Sequence, residues 1–399
     1  MQGDGGVNIV RRRLEYSALT LRVGGEGADA WDTHYAALAA RGRGEDVIIL
    51  SVGDPAIDTP APILERAIAS LRGGDTHYEP LAGRAALRRA IAALHQARTG
   101  QSVGPEQTIF LAGAQNALFA ASLCLAGPGD EVITSEPMYP TYRATIEASG
   151  ARLIRVPAAA QFRIDTTALA AAITPRTRAI FVATPNNPSG VIINDADMTA
   201  IGDLAQAHGL WVVADEVYAG LAPAGRVPGL ARRLPDQVIT IGSLSKSHAM
   251  TGWRAGWLVG PATLIGHVES LVLAMLFGLP GFIMEAAQTA LSISAEAEAR
   301  TRAYCAERRD VLLGALAGAR GLNCHVPDAG MFTLVDVSAT SLTGAEFVRR
   351  LYAAERVSVL DGAMFGAATR SHVRICFAAE PATLREAGVR IQRFVHTLS

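Results

Sequence analysis

A single lysine stands among the 36 basic side chains of this 399-residue sequence. It is Lys246, in Gly242-Ser243-Leu244-Ser245-Lys246-Ser247, and the other 35 are arginines. Where positive charge alone is wanted, this chain uses arginine. Arginine cannot replace lysine where a neutral primary amine must attack a carbonyl, because the guanidinium stays protonated. A lysine amine can be desolvated, lose its proton and form a carbon–nitrogen double bond. The plain alternative is a solvated surface charge. The neighbours of Lys246 argue against it: small and hydroxyl-bearing residues follow an apolar run, and Trp253, Arg254 and Trp257 come soon after. The chemistry to expect is covalent capture of a carbonyl compound by one ε-amine.

Further polar residues recur where apolar runs stop. Gly113-Ala114-Gln115 ends the run 108–113 and opens a helical stretch. Tyr139 follows the run 131–135, in Pro137-Met138-Tyr139-Pro140-Thr141-Tyr142. Asn186-Asn187-Pro188-Ser189-Gly190 follows 179–183, and Asp215 closes 210–214 with Tyr218 one turn on. Ser243, Ser245 and Lys246 follow 238–242. These runs, with 152–157 and 256–260, alternate with helical segments such as 115–126 and 196–208. The alternation predicts a mostly parallel sheet covered by helices, and strands apolar throughout fit burial on both faces. In such sheets ligands bind beyond the carboxyl ends of the strands. Five strand ends delivering polar groups to one rim say more than any one tetrapeptide, since most Asn-Pro-x-Gly sequences are turns.

Helices are predicted at 62–71 and 84–97, and one long helix at 295–317. Strands at 331–337, 357–360 and 372–377, with helices at 344–354 and 384–395, predict a second α+β unit. The expected organisation is an arm at 1–25, a large domain at 58–294, and a smaller domain made of 26–57 and 295–399. The net charge of −1 gives no excess that points to nucleic acid or a membrane surface. No apolar run has transmembrane length. The arm carries Arg11-Arg12-Arg13 but also Asp4 and Glu15, without the apolar core of a signal peptide. Cys124, Cys305, Cys324 and Cys376 are scattered and lack metal-ligand spacing, so they are expected as core residues in a cytoplasmic protein, with no metal site.

The motifs form one set. Ser-x-Ser-Lys has Arg254 eight residues beyond Lys246, and Asp215-x-x-Tyr218 begins 28 residues after the Asn187 of Asn187-Pro-x-Gly. In that combination the chain resembles the class I pyridoxal-phosphate-dependent aminotransferases, from about residue 27 onward. The resemblance implies an α/β chain of fold type I, with a mostly parallel large-domain sheet, a smaller α+β domain and pyridoxal 5'-phosphate as cofactor. It implies that Lys246 anchors the cofactor and moves the substrate α-proton. Asp215 is then expected to keep the ring nitrogen protonated, Asn187 and Tyr218 to donate to the ring oxygen, and Tyr139 to stack on the ring. Gly113, Ala114 and Gln115 at a helix start, with Ser243, Ser245 and Arg254, are expected to hold the phosphate. Tyr78 matches the family tyrosine that reaches the neighbouring subunit's phosphate, which implies a homodimer. Arg374, Asn187 and the backbone N–H of Gly53 are expected at the substrate carboxylate.

Within the family, the stretch 24–35 together with 244–254 and 112–115 is similar to arginine:pyruvate transaminases. That likeness implies arginine as amino donor and pyruvate as acceptor. A guanidinium would want a carboxylate, for which Glu79, Glu26, Asp29 and Asp32 are candidates. No second arginine is placed for a dicarboxylate substrate. The segment 276–281 is apolar and belongs to the substrate pocket in this family, which leaves aromatic or aliphatic donors open. A C–S β-lyase on the same scaffold is also open. A nicotinamide dehydrogenase is disfavoured, because no Gly-x-Gly-x-x-Gly follows the first strands. A transcription regulator would need a DNA-binding module before the domain.

Overall fold

The computed structural model describes residues 14–24, 31–223 and 229–398. Of the expected arm, residues 1–13 and 25 lie outside the described residues, and so do Glu26 and Asp29. Strand β1 (Ile48–Ile49) comes first. Strands β2 (Thr108–Ala112), β3 (Glu131–Ser135), β4 (Arg152–Val156), β5 (Thr177–Ala183), β6 (Trp211–Asp215), β7 (Val238–Ser243) and β8 (Ala255–Val259) form one seven-stranded sheet. Their order is β2-β8-β7-β6-β5-β3-β4. Only β8 opposes the rest, running antiparallel to β2 and β7.

These strands are apolar along their length because both faces meet a core. In β5, Ala179, Phe181 and Ala183 join one cluster while Ile180 and Val182 join another. In β6, Val213 faces the first cluster and Val212 and Ala214 the second. In β8, Leu258 faces the first and Trp257 and Val259 a third. Side chains alternate with a period of two, so a strand buried on both faces has no polar face to show. Helices Gly113–Leu125 and Ala262–Met275 cover one face. Helices Ala61–Arg72, Ala85–Thr99, Asp195–His208 and Gly281–Ser292 cover the other. Phe181 is 1% exposed, and truncating such a side chain costs about 3–5 kcal/mol. The strand ends therefore stand on a stiff base.

A second sheet is antiparallel. Strands β9 (Asn323–Cys324), β10 (Phe332–Asp336), β12 (Leu360–Asp361) and β13 (His372–Cys376) lie in the order β12-β13-β10-β9. Strand β11 (Val357–Ser358) pairs in parallel with β1 instead. The run 357–360, expected as one strand, is thus two, serving two sheets. Helices Ser294–Leu316, Gly344–Glu355 and Pro381–His396 pack with the antiparallel sheet in a core that takes in Ile48 and Leu50 from early in the chain. Tyr218 and Leu221, just past β6, join the same core. The rim of the large sheet is therefore packed directly against the second sheet.

Candidate active site

A cavity of about 270 Å³ opens where the carboxyl ends of the parallel strands meet the second sheet. Ala114, Gln115, Tyr139, Asn187, Asp215, Tyr218, Ser243, Ser245, Lys246 and Arg254 line it from the large sheet, and Gly53 and Arg374 from the other side. The reversed strand explains the Lys246–Arg254 spacing. Because β8 runs backwards, its start lies at the rim where the other strands end, and Arg254 precedes it there. Arg254 takes a left-handed backbone (φ 55°) and donates from Nη1 to the Thr251 carbonyl at 2.8 Å.

Gly113 lies under that guanidinium. Its φ is +79°, and a Cβ there would sit 2.5 Å from Arg254 Nη2. A side chain at 113 would be strained by the backbone conformation and would push the guanidinium aside. The result sets a cation over the start of helix Gly113–Leu125, whose first N–H groups lack intrahelical acceptors. Ser243 Oγ lies 2.9 Å from Ser245 Oγ and accepts the Ser245 N–H at 3.0 Å. Helix start, two hydroxyls and a guanidinium together make an anion site.

Asp215 ends β6 and is buried. Burial pushes its pKa up, while donors pull it down. Those donors are the Tyr142 hydroxyl at 2.8 Å on Oδ2 and the Val217 N–H at 3.2 Å on Oδ1. Tyr142 is itself buried, edge-on to Tyr139 with ring centroids 5.8 Å apart. Tyr218 is buried one turn beyond Asp215, edge-on to Phe332.

Lys246 Nζ donates to the Gly53 carbonyl at 2.5 Å. Burial lowers its pKa from 10.5 to about 8, helped by the nearby cations Arg374 and Arg254 and opposed by Cys376 and Asp54. Gly53 has no room for a side chain, since a Cβ would lie 2.3 Å from Phe332 Cζ.

Arg374 is fully enclosed. An arginine of an edge strand would be solvated, but β13 pairs on both sides, with β10 and β12. Its guanidinium lies 4.0 Å from the Phe332 ring centroid and 4.9 Å from that of Phe365. Nη1 donates to Asn187 Oδ1 at 3.0 Å and Nη2 to the Ser51 carbonyl at 2.6 Å, while Nε has no partner. A buried cation so placed is a ready receptor for a carboxylate.

The family profile described as "Aminotransferase class I and II" matches residues 45–391. The chain belongs to this aminotransferase family. It is 48% identical to arginine–pyruvate transaminase AruH of Pseudomonas aeruginosa over 388 residues, covering 95% of this chain and 97% of that protein. It is 34% identical to the aspartate/prephenate aminotransferase of Thermus thermophilus, covering 91% and 94%. The solved structure of Thermus thermophilus aspartate aminotransferase with maleate superposes with a TM-score of 0.91 at 31% identity, covering 96% of this chain and 100% of that one.

The aminotransferase uses pyridoxal 5'-phosphate and acts on amino acids and 2-oxo acids. The residues present fit the coenzyme. The cradle that a Cβ at Gly113 would fill, beside Arg254, suits a phosphate. A buried carboxylate that ends a strand suits a protonated ring nitrogen, and the one lysine and Arg374 line the same cavity.

Four expected residues or segments lie elsewhere. Tyr78 is 83% exposed and does not line the cavity; its ring packs on Phe277, 4.8 Å between centroids. The segment 276–281 is not among the lining residues either, and Leu276 and Phe277 are exposed. Glu79 is bound by Arg84, in a cluster with Asp75 and Glu285, and Asp32 is exposed in the first turn of helix Asp32–Gly42. Sequence reasoning gave no role to Tyr142, Ser51 or Trp31. Tyr142 lies three residues past Tyr139 in the same segment, and that closeness was the available signal. Ser51 acts through its carbonyl, which no residue type reveals.

Proposed function

We propose that this aminotransferase moves the amino group of arginine to pyruvate, giving 5-guanidino-2-oxopentanoate and alanine. The 48% identity to an arginine–pyruvate transaminase across nearly the whole chain carries this reading. The cavity chemistry supports it. Its lining cations among the described residues are Lys246, Arg254 and Arg374. With one for the coenzyme aldehyde, one for its phosphate and one for the substrate α-carboxylate, none is left for the second carboxylate of aspartate or glutamate.

When bound, the coenzyme supplies an electron-withdrawing ring that stabilises negative charge at the substrate α-carbon. Lys246 would hold it covalently through Nζ. With the amine free, Nζ would act as the base that takes the substrate α-proton and holds it at that atom. A pKa near 8 suits this base, whereas an ordinary lysine would hold its proton too tightly. Asp215 keeps the ring nitrogen protonated, and Tyr142 keeps Asp215 ionised and aimed. Asn187 and Tyr218 donate to the ring oxygen and Tyr139 covers the ring face. Ala114 and Gln115 N–H groups, Ser243, Ser245 and Arg254 hold the phosphate. Arg374, with Asn187 and the Gly53 N–H, orients the substrate carboxylate.

The proposed working unit is a cytoplasmic homodimer. The exposed Tyr78–Phe277 pair supports a second copy covering it, with Tyr78 reaching the partner's phosphate. The four free cysteines suit a reducing compartment. The test is a panel of amino donors against pyruvate and 2-oxoglutarate, following keto-acid exchange. Arginine with pyruvate should be the fastest pair. Absence of arginine turnover removes this assignment and leaves the aminotransferase standing.

A further inference from the structure

We propose that Trp31 selects the cationic donor, its indole face receiving the substrate guanidinium. This rests on the arginine reading and adds the residue and the interaction that recognise the side chain. A guanidinium entering the cavity needs negative charge or an electron-rich ring face. The described carboxylates around the site do not offer the first. Asp215 is buried against Tyr142 at the floor. Glu79 is taken by Arg84, and Asp32 is exposed outside the lining. Asp54 accepts from Thr251 at 2.7 Å and also lies outside the lining.

Among the aromatic residues of the cavity, Tyr139 and Tyr218 are committed to the coenzyme, and Phe332 lies under the Arg374 guanidinium. Trp31 is left. It is half-buried, lines the cavity and precedes helix Asp32–Gly42. Its position is tied to the carboxylate site. The indole meets His34 edge-on, with centroids 5.5 Å apart at 77°. His34 Nδ1 is 2.8 Å from Ser51 Oγ, and the Ser51 carbonyl accepts from Arg374 at 2.6 Å. Burial first, and then Arg41, lower the His34 pKa, so the ring beneath the indole is neutral at pH 7 and does not repel a cation. Two fixed points, Arg374 and Trp31, are what selection by the far end of an amino acid requires.

The test uses the coenzyme-loaded enzyme and two ligands that cannot react. One is 5-guanidinopentanoate, which is arginine without its amino group; the other is hexanoate, a carboxylate with a neutral tail. Affinities are measured by calorimetry. Trp31→Leu should weaken 5-guanidinopentanoate about tenfold and hexanoate less than about threefold, and Trp31→Phe should lose about threefold of the preference, since indole is the stronger cation acceptor. Retained hexanoate binding shows that the cavity still forms. Equal weakening of both ligands, or of neither, overturns the proposal and leaves arginine turnover untouched. If Trp31→Leu does not fold, an unchanged preference in Trp31→Phe overturns it instead. A wild type that neither prefers 5-guanidinopentanoate nor turns over arginine overturns the underlying reading as well.

Discussion

At the floor of the cavity, Asp215, Ser243 and Lys246 stand at or just past the ends of buried strands; at its edge, Trp31 precedes a helix, and outside its lining Tyr78 lies on an exposed loop. The floor is backed on both faces by packed side chains, such as Phe181 on one and Val182 on the other. The edge draws on separate stretches of chain, and Tyr78 has no place in the cavity of its own subunit. The contrast divides labour. On the proposed roles, chemistry common to all donors sits on rigid strand ends, while choice among donors sits where loops can vary without disturbing the core.

Substitutions separate the two regions by size of effect. The largest is at the floor. Lys246→Arg keeps the charge and removes the nucleophile, and should cut turnover with every donor by at least about 10⁴-fold, read as single-turnover keto-acid formation. A donor-dependent loss would blur the division. Next comes Arg374→Ala. Removing one partner of a buried charge pair costs about 2–5 kcal/mol, so kcat/KM should fall roughly 30-fold or more for donors and acceptors alike. A loss confined to arginine would place Arg374 at the side chain instead.

Tyr142→Phe should act less and through pH. Its hydroxyl pulls the Asp215 pKa down against burial, so its loss raises that pKa. The carboxylate is the working form, and activity falls as pH drops through the Asp215 pKa. The acid limb of the kcat/KM profile should therefore move up by about one pH unit, the equivalent of a charge-assisted hydrogen bond of about 1.5 kcal/mol. An unshifted limb would mean that Tyr142 only packs.

The same division governs what the sequence disclosed. The parallel strands, the later strands of the second sheet and the place of the rim residues from Ala114 to Arg254 were legible, because strands buried on both faces are apolar throughout and break at polar ends. Lys246 was legible from its scarcity and its neighbours. Arg374 was named only through family likeness; its burial depends on β13 having neighbours on both sides, and β12 is too short for any periodicity. The split of 357–360 was hidden for the same reason. Ser51 was illegible because its carbonyl does the work. The acidic residues proposed for a guanidinium failed where they could be placed, because Glu79 pairs with Arg84 across a loop that sequence spacing does not reveal.

Borohydride reduction of the coenzyme-loaded enzyme, followed by peptide mapping, is the most direct check on the role of the one lysine. The pyridoxyl group should be found on Lys246, with Lys246→Ala left unlabelled. A colourless protein, or a label that spares position 246 after coenzyme is supplied, would contradict the whole assignment.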